Sequence, residues 1–131
     1  MTANIVAYLC CDGASEAIAW YSKAFGAREI SRMTDDGGRI GHAEIEIAGT
    51  MLYVSDEWPE NRVLSPKHLG GVGVSFVMTV PDADVAFERA VAAGAKVDRT
   101  VRDEPHGRAG WVWDPWGHHW NLLALPRANA E

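Results

Sequence analysis

Two cysteines, Cys10 and Cys11, are all that the sequence contains, and they are neighbours. Adjacent residues are poorly placed for disulfide geometry, so no disulfide framework is expected and a reducing cytoplasm is the natural setting. Basic charge is also short: 12 Lys and Arg against 18 Asp and Glu leave a formal net charge of −6. That balance disfavours general nucleic-acid binding, which needs a basic face. It suits solubility and, less specifically, cationic ligands. No apolar run nears the roughly 20 residues of a membrane span. The N-terminus has no basic region leading into an apolar core, so no signal peptide is expected. Pro and Gly are scattered at turns, which leaves no low-complexity tract. Nor is there a nucleophile elbow, a phosphate loop or a Cys/His pair of recognised spacing.

What the sequence does have is a turn that delivers a strand. In Asp114-Pro115-Trp116-Gly117-His118, Pro fixes φ and Gly supplies values other residues resist. The run His119 to Leu125 that follows is aromatic and apolar, as a strand would be. Gly49 precedes a similar run, Thr50 to Val54, and 117 − 49 = 68. The same offset relates Gly26 to Gly94, Ala24 to Ala92, Ala17 to Val85, Val6 to Val74 and Leu9 to Val77. Two copies of one unit are expected, each about half the chain.

The elements follow from periodicity. Ile5 to Cys11 reads as a strand, and Ala14 to Phe25 as a helix opened by Asp12 or Gly13 and closed by Gly26. Arg28 to Met33 is a strand, and Asp35-Asp36-Gly37-Gly38 a hairpin turn. From Ile40 to Ala48, Ala43, Ile45 and Ile47 alternate with His42, Glu44 and Glu46, and Met51 to Ser55 follows as a fourth strand. Asp56 to Gly71 is a long connection holding Trp58, either a surface linker or a lid over a cavity. The order then repeats: strand Gly73 to Val80, helix from the Pro81-Asp82 cap to Ala93, then strands Lys96 to Val101, Arg108 to Trp113 and His119 to Leu125.

A doubled β-α-β-β-β unit with Ala-Phe-Gly-Ala closing one helix, Ala-Ala-Gly-Ala closing the other, and Asp114-Pro115-Trp116-Gly117-His118 before the last strand resembles the vicinal oxygen chelate superfamily. That group includes glyoxalase I, extradiol dioxygenases, fosfomycin resistance enzymes and bleomycin resistance proteins. Gly41-His42-Ala43-Glu44 and His118-His119-Trp120 are similar to the branch labelled 3-demethylubiquinone methyltransferase-like. The resemblance covers essentially the whole chain. It implies an α+β fold in which the two units form a curved mixed sheet around a cavity. One domain, 1–131, is expected, with repeat units at about 3–56 and 72–126 joined by 57–71. The resemblance says less about function, because one scaffold hosts many activities.

Metal-dependent members of that superfamily carry His, Glu or Gln at four strand positions. The resemblance and the 68-residue repeat bring those positions here to Asn121 and its mate Tyr53, and to Ser75 and its mate Ala7. None of the four is a good ligand for a divalent cation, so no metal at the family position, and no other cofactor, is expected. His42 and Glu44 share a strand face and could form a rearranged site. His118 and His119 point to opposite faces, and His106 sits beside Gly107 in a loop.

Aromatic residues are the remaining candidates for binding. Trp111 and Trp113 share a face, Trp116 and Trp120 lie close in sequence, Trp58 is in the connection, and Trp20 on the helix is expected in the core. Such rings stack on planar or cationic ligands, or else fill core and dimer interface. The leading expectation is a metal-free small-molecule binder, as in bleomycin resistance, acting as a cytoplasmic homodimer without nucleic-acid or membrane partners. Tyr53, Ser75, Trp58, Trp111, Trp113, His119 and Asn121 are the candidate ligand contacts. The alternatives are a metal-dependent glyoxalase- or dioxygenase-like enzyme built around His42 and Glu44, and a structural protein with a vestigial pocket. Cys11, on the period-2 face of Ala7 and Leu9, is expected to line the cavity, with Cys10 turned away.

Overall fold

In Ala14–Phe25 (α1), Ala14, Ala17, Ile18, Tyr21 and Ala24 form one buried stripe, the pattern of a helix lying on a sheet. Gly26, at φ 71°, ends the helix in the left-handed conformation and bonds back to Ser22 and Tyr21. Its N-cap, Gly13, has no side chain to offer. Asp56, 42 residues further along the chain, supplies the cap: Oδ1 accepts from the Ala14 N–H at 2.7 Å, and Oδ2 accepts from the Ile40 N–H at 2.7 Å. One carboxylate thus ties the helix start to two strands.

The computed structural model describes residues 2–126, and the chain divides into two compact units at Gly70/Gly71. The first unit contains Tyr8–Cys10 (β1), α1, Arg28–Thr34 (β2), Ile40–Ile47 (β3) and Thr50–Ser55 (β4), followed by a 3-10 turn, Pro59–Asn61, and the short helix Pro66–Leu69 (α2). Its sheet order is β1-β4-β3-β2, with β1 parallel to β4 and the other pairs antiparallel. The second unit contains Phe76–Thr79 (β5), Ala83–Ala93 (α3), Lys96–Glu104 (β6), Gly107–Trp113 (β7) and His119–Ala124 (β8). Its sheet order, β5-β8-β7-β6, reproduces the first. The expected mixed sheet is therefore two four-stranded mixed sheets, one per unit. Among the described residues no helix is long and apolar enough to cross a membrane.

Each helix lies on one face of its own sheet. In the first unit that face carries Leu9, Cys11, Ala43, Ile45 and Val54, all nearly inaccessible. In the second, Asp82 caps α3 by accepting from the Val85 N–H, and Phe87 lies so close to β7 that a Cβ on Gly110 would sit 2.7 Å from its ring. The opposite face of each sheet is left to carry function.

The two sheets match in topology but not at a constant offset. Tyr53 pairs with Tyr8 and Glu44, whereas Asn121 pairs with Val77 and Trp111. If Tyr53 and Asn121 are mates (121 − 53 = 68), then Tyr8 matches Val77 (69) and Glu44 matches Trp111 (67). The β3–β4 hairpin closes over Ala48-Gly49, whereas β7–β8 needs the five residues from Asp114 to His118. A one-residue slip in a strand exchanges its faces. Hence Trp111 and Trp113 are not counterparts of the buried Ala43 and Ile45, and the mate of Ser75 is Val6 rather than Ala7.

Candidate functional site

On the first unit's open face, β1, β3 and β4 bring Tyr8, His42, Glu44 and Tyr53 together. The Tyr8 hydroxyl lies 2.7 Å from His42 Nδ1, and His42 Nε2 lies 3.0 Å from Glu44 Oε2. Tyr53 meets Tyr8 and His42 edge-on, at centroid distances of 5.4 and 4.6 Å. Burial pushes the Tyr8 phenol up, and the neighbouring Tyr53 and Glu44 add to the shift, so it stays neutral near pH 7. His42 and Glu44 share a face as expected, but they bond to each other, and the second ring nitrogen of His42 is taken by Tyr8.

Beside this cluster is a pocket of about 520 Å³ lined by Tyr8, Cys10, Gly41, Ser55, Trp58, Asn61 and Val63. Its outer wall is the connection after β4. Trp58 and Val63 exchange backbone hydrogen bonds of 2.8 and 3.0 Å, closing a small loop around the 3-10 turn. The Trp58 indole packs within 3.4 Å of where a Cβ on Gly41 would be, and the Arg39 guanidinium lies 3.2 Å from the ring centroid. Arg39 is itself paired with Glu60 and Asp35. These contacts hold this part of the connection against the first unit as a wall of the pocket.

The cysteines reverse the expectation. Cys10 lines the pocket, while Cys11 is fully buried with its sulfur 3.9 Å from the Tyr21 hydroxyl. The Leu9–Cys11 face is the helix-packed one, so the pocket takes the Tyr8–Cys10 face. Burial, followed by the charges of Glu57, Asp56 and Asp12, pushes the Cys10 thiol up to about 11. Native-state alkylation should therefore modify Cys10 before Cys11. At pH 7 it should run roughly 100-fold slower than for a free thiol, because so little thiolate is present. Peptide mapping after iodoacetamide treatment checks this; prior labelling of Cys11 would contradict the assignment of faces.

In the second unit, five of the expected contacts converge. The His119 imidazole stacks on two indoles, Trp111 at 4.4 Å and Trp113 at 4.0 Å, each with 23° between planes. His119 Nδ1 is 2.7 Å from Ser75 Oγ, and Nε2 is 2.8 Å from Asp98 Oδ2. His118 points the other way, toward Phe76, as strand alternation requires. Asn121, on the same face as Trp111, is buried, and its Oδ1 has no hydrogen-bond partner among the described residues. An orphaned buried carbonyl costs roughly 1–3 kcal/mol. Asn121→Leu should thus stabilise the protein by about 1 kcal/mol. Urea titration checks the sign, and loss of stability in the variant would show that Asn121 has a structural role. Trp58 and Tyr53 belong to the first unit's face; Trp116 and Trp120 are core; Trp20 packs on Tyr21 and Phe25, half-buried. Asp98 was not singled out by sequence, because nothing local marks a strand aspartate that meets a histidine 21 residues on.

The superfamily's metal does not fit the family positions. Ser75 is bonded to His119, Tyr53 is packed among rings, Asn121 is a neutral amide, and neither Val6 nor Ala7 has a donor. Elsewhere among the described residues, Asp12, Glu57 and His68 place ligand atoms within 4.8 Å of one another. Glu57 Oε2 there already accepts from Ser65 N, Ser65 Oγ and His68 Nδ1. Burial pushes the Glu57 carboxyl up, but these bonds outweigh it and leave it below the ordinary value. The group fastens the segment leading into α2.

Comparison with known proteins bears on the fold and the family. The mycobacterial protein Rv0887c (Mycobacterium tuberculosis) is 40% identical over 119 residues, covering 88% of this chain and 70% of its own length. TioX from Micromonospora sp. ML1 superimposes with a TM-score of 0.71 at 27% identity, covering 96% of this chain and 98% of TioX. FosX, a fosfomycin resistance protein from Listeria monocytogenes solved with Mn(II) and a dihydroxypropylphosphonic acid, gives 0.73 at 18% identity over 96% of this chain and 93% of FosX, a likeness of fold. The profile of the Glyoxalase/Bleomycin resistance protein/Dioxygenase superfamily matches residues 3–122, and this chain belongs to that family.

Proposed function

We propose that the chain is a small-molecule binding protein that holds a planar or cationic ligand without a metal ion. The pocket of about 520 Å³ on the first unit carries the reading. Its volume falls in the range of ligand pockets, roughly 300–1,000 Å³, and its mix of aromatic walls and few polar groups is typical of them. Tyr8 and Trp58 offer ring surface, while the Ser55 hydroxyl and the Asn61 side chain supply polar groups. Glu44, Asp56 and Glu57 nearby favour a cation. The poor donor set at the family's metal positions supports metal independence.

Trp58→Ala is the test, because it removes one wall and leaves both sheets intact. Affinity for a planar aromatic cation, followed by calorimetry, should fall about 30-fold, the scale of a buried aromatic anchor. Unchanged affinity would move the ligand away from this pocket. The same reading takes the working form to be a homodimer, supported by the exposed Val77 and Val97 on β5 and β6. Light scattering that found only monomer at working concentration would remove that part.

A further inference from the structure

Ser75, His119 and Asp98 lie at the opposite end of the sequence from that pocket's residues and form a chain of two short hydrogen bonds. Asp98, as a carboxylate, can only accept, so at His119 Nε2 it takes the ring's N–H across 2.8 Å. A neutral imidazole then has its lone pair on Nδ1, where the only role open to the Ser75 hydroxyl, 2.7 Å away, is donor. The proton therefore sits on Ser75 Oγ and points at a base. The indoles of Trp111 and Trp113 both stack on the ring and hold its plane, which leaves the two ring nitrogens at its edge for bonding. Ser75 is exposed, so its oxygen is open to an incoming molecule. Nucleophile bonded to base, and base bonded to an orienting carboxylate, is the arrangement that activates a serine whatever the fold.

We propose that this set gives the second unit an acyl-transfer activity, the hydrolysis of small aromatic esters, with Ser75 as nucleophile, His119 as general base and Asp98 as the positioning residue. Ser75 Oγ bonds to the ester carbonyl carbon as its proton passes to His119 Nδ1. The tetrahedral adduct collapses, the bond to the alcohol oxygen breaks, and His119 returns the proton to the departing alcohol. Water then attacks acyl-Ser75 by the same route, releasing the acid and restoring the hydroxyl. Asn121, two residues along β8 on the face of His119, brings a carboxamide to that side of the sheet as the donor for the adduct's oxyanion. The indole faces favour an aromatic acyl or alcohol group. None of this depends on the pocket of the first unit or on a ligand there.

The test is a fluorophosphonate probe, with which Ser75 Oγ would form a phosphorus–oxygen bond as fluoride and the proton leave. Peptide mapping of the wild-type protein should find the label on Ser75, one per chain. His119→Gln should slow labelling about 100-fold, the scale of general-base catalysis. Asp98→Asn should slow it as well and also change the ring-nitrogen NMR shifts of His119, because the proton is no longer held on Nε2. A purely structural aspartate would leave that tautomer signature in place. Ser75→Ala should abolish labelling and the hydrolysis of p-nitrophenyl acetate; the wild-type map decides the question even if this variant folds poorly. No label on Ser75, or labelling at the same rate in His119→Gln, would overturn the proposal.

Discussion

Asp114→Ala should destabilise the protein by about 4 kcal/mol, the cost of leaving several buried donors without an acceptor. Asp114 is 4% exposed, and its carboxylate organises the turn into β8. Oδ1 accepts from the N–H groups of Trp116 and His118 at 2.9 and 3.0 Å, while Oδ2 accepts from Trp120 Nε1 at 2.9 Å. The turn also closes through its backbone, Asp114 N to His118 O and Gly117 N to Asp114 O. Removal of the side chain strands an indole N–H in the core and loosens the five residues that set the register between β7 and β8. Asp114→Asn keeps one oxygen for the turn but turns an NH₂ group toward Trp120, so about half the loss should remain. Urea unfolding of the two variants checks both values. A loss below about 1 kcal/mol for Asp114→Ala would mean that water replaces the carboxylate at little cost.

Gly107→Ala should cost about 3 kcal/mol, through backbone strain rather than a lost bond. Gly107 begins β7 at φ 146°, a value that L side chains rarely adopt. A Cβ there would fall on the Ala124 carbonyl oxygen and lie 2.9 Å from Leu123 Cδ1. Those atoms belong to the paired strand, where Arg108 faces Ala124, so neither side can move without disturbing the ladder. Gly110→Ala makes an informative contrast, because its clashes are with the side chains of Phe87 and Val101. Side chains can yield where backbone cannot, so Gly110→Ala should cost less than Gly107→Ala. The reverse order would contradict the packing described here.

Local signals in the sequence reached as far as local physics does. Glycines at the ends of α1 and α3, the Asp82 cap and the alternation along β3 each rest on a few neighbouring residues, and each stands in the structure. The family followed from those elements in their repeated order. Site detail depended on register, which local pattern does not fix. Nine residues separate Trp111 from its partner Asn121 where eight separate Glu44 from Tyr53, and that one extra residue turns Trp111 and Trp113 to the open face, whereas a constant offset of 68 matched them to Ala43 and Ile45. The choice of face for the cysteines failed for a related reason: alternation separates Cys10 from Cys11 but does not say which side α1 will cover. Asp56 capping a helix 42 residues away, and Asp98 meeting His119, are contacts between distant segments with no signature in either.

The most direct measurement of the central claim is a thermal-shift screen of the wild-type protein in excess chelator, with planar aromatic compounds, aromatic cations and, in parallel without chelator, divalent metals. A ligand that binds only the folded state raises the melting temperature by mass action, by about 2.7 kcal/mol of stability at 100 times its dissociation constant. The account predicts that at least one planar or cationic compound raises the melting temperature equally with and without chelator, and that metals alone do not. Stabilisation by a divalent metal, with the organic ligands binding only in its presence, would contradict it.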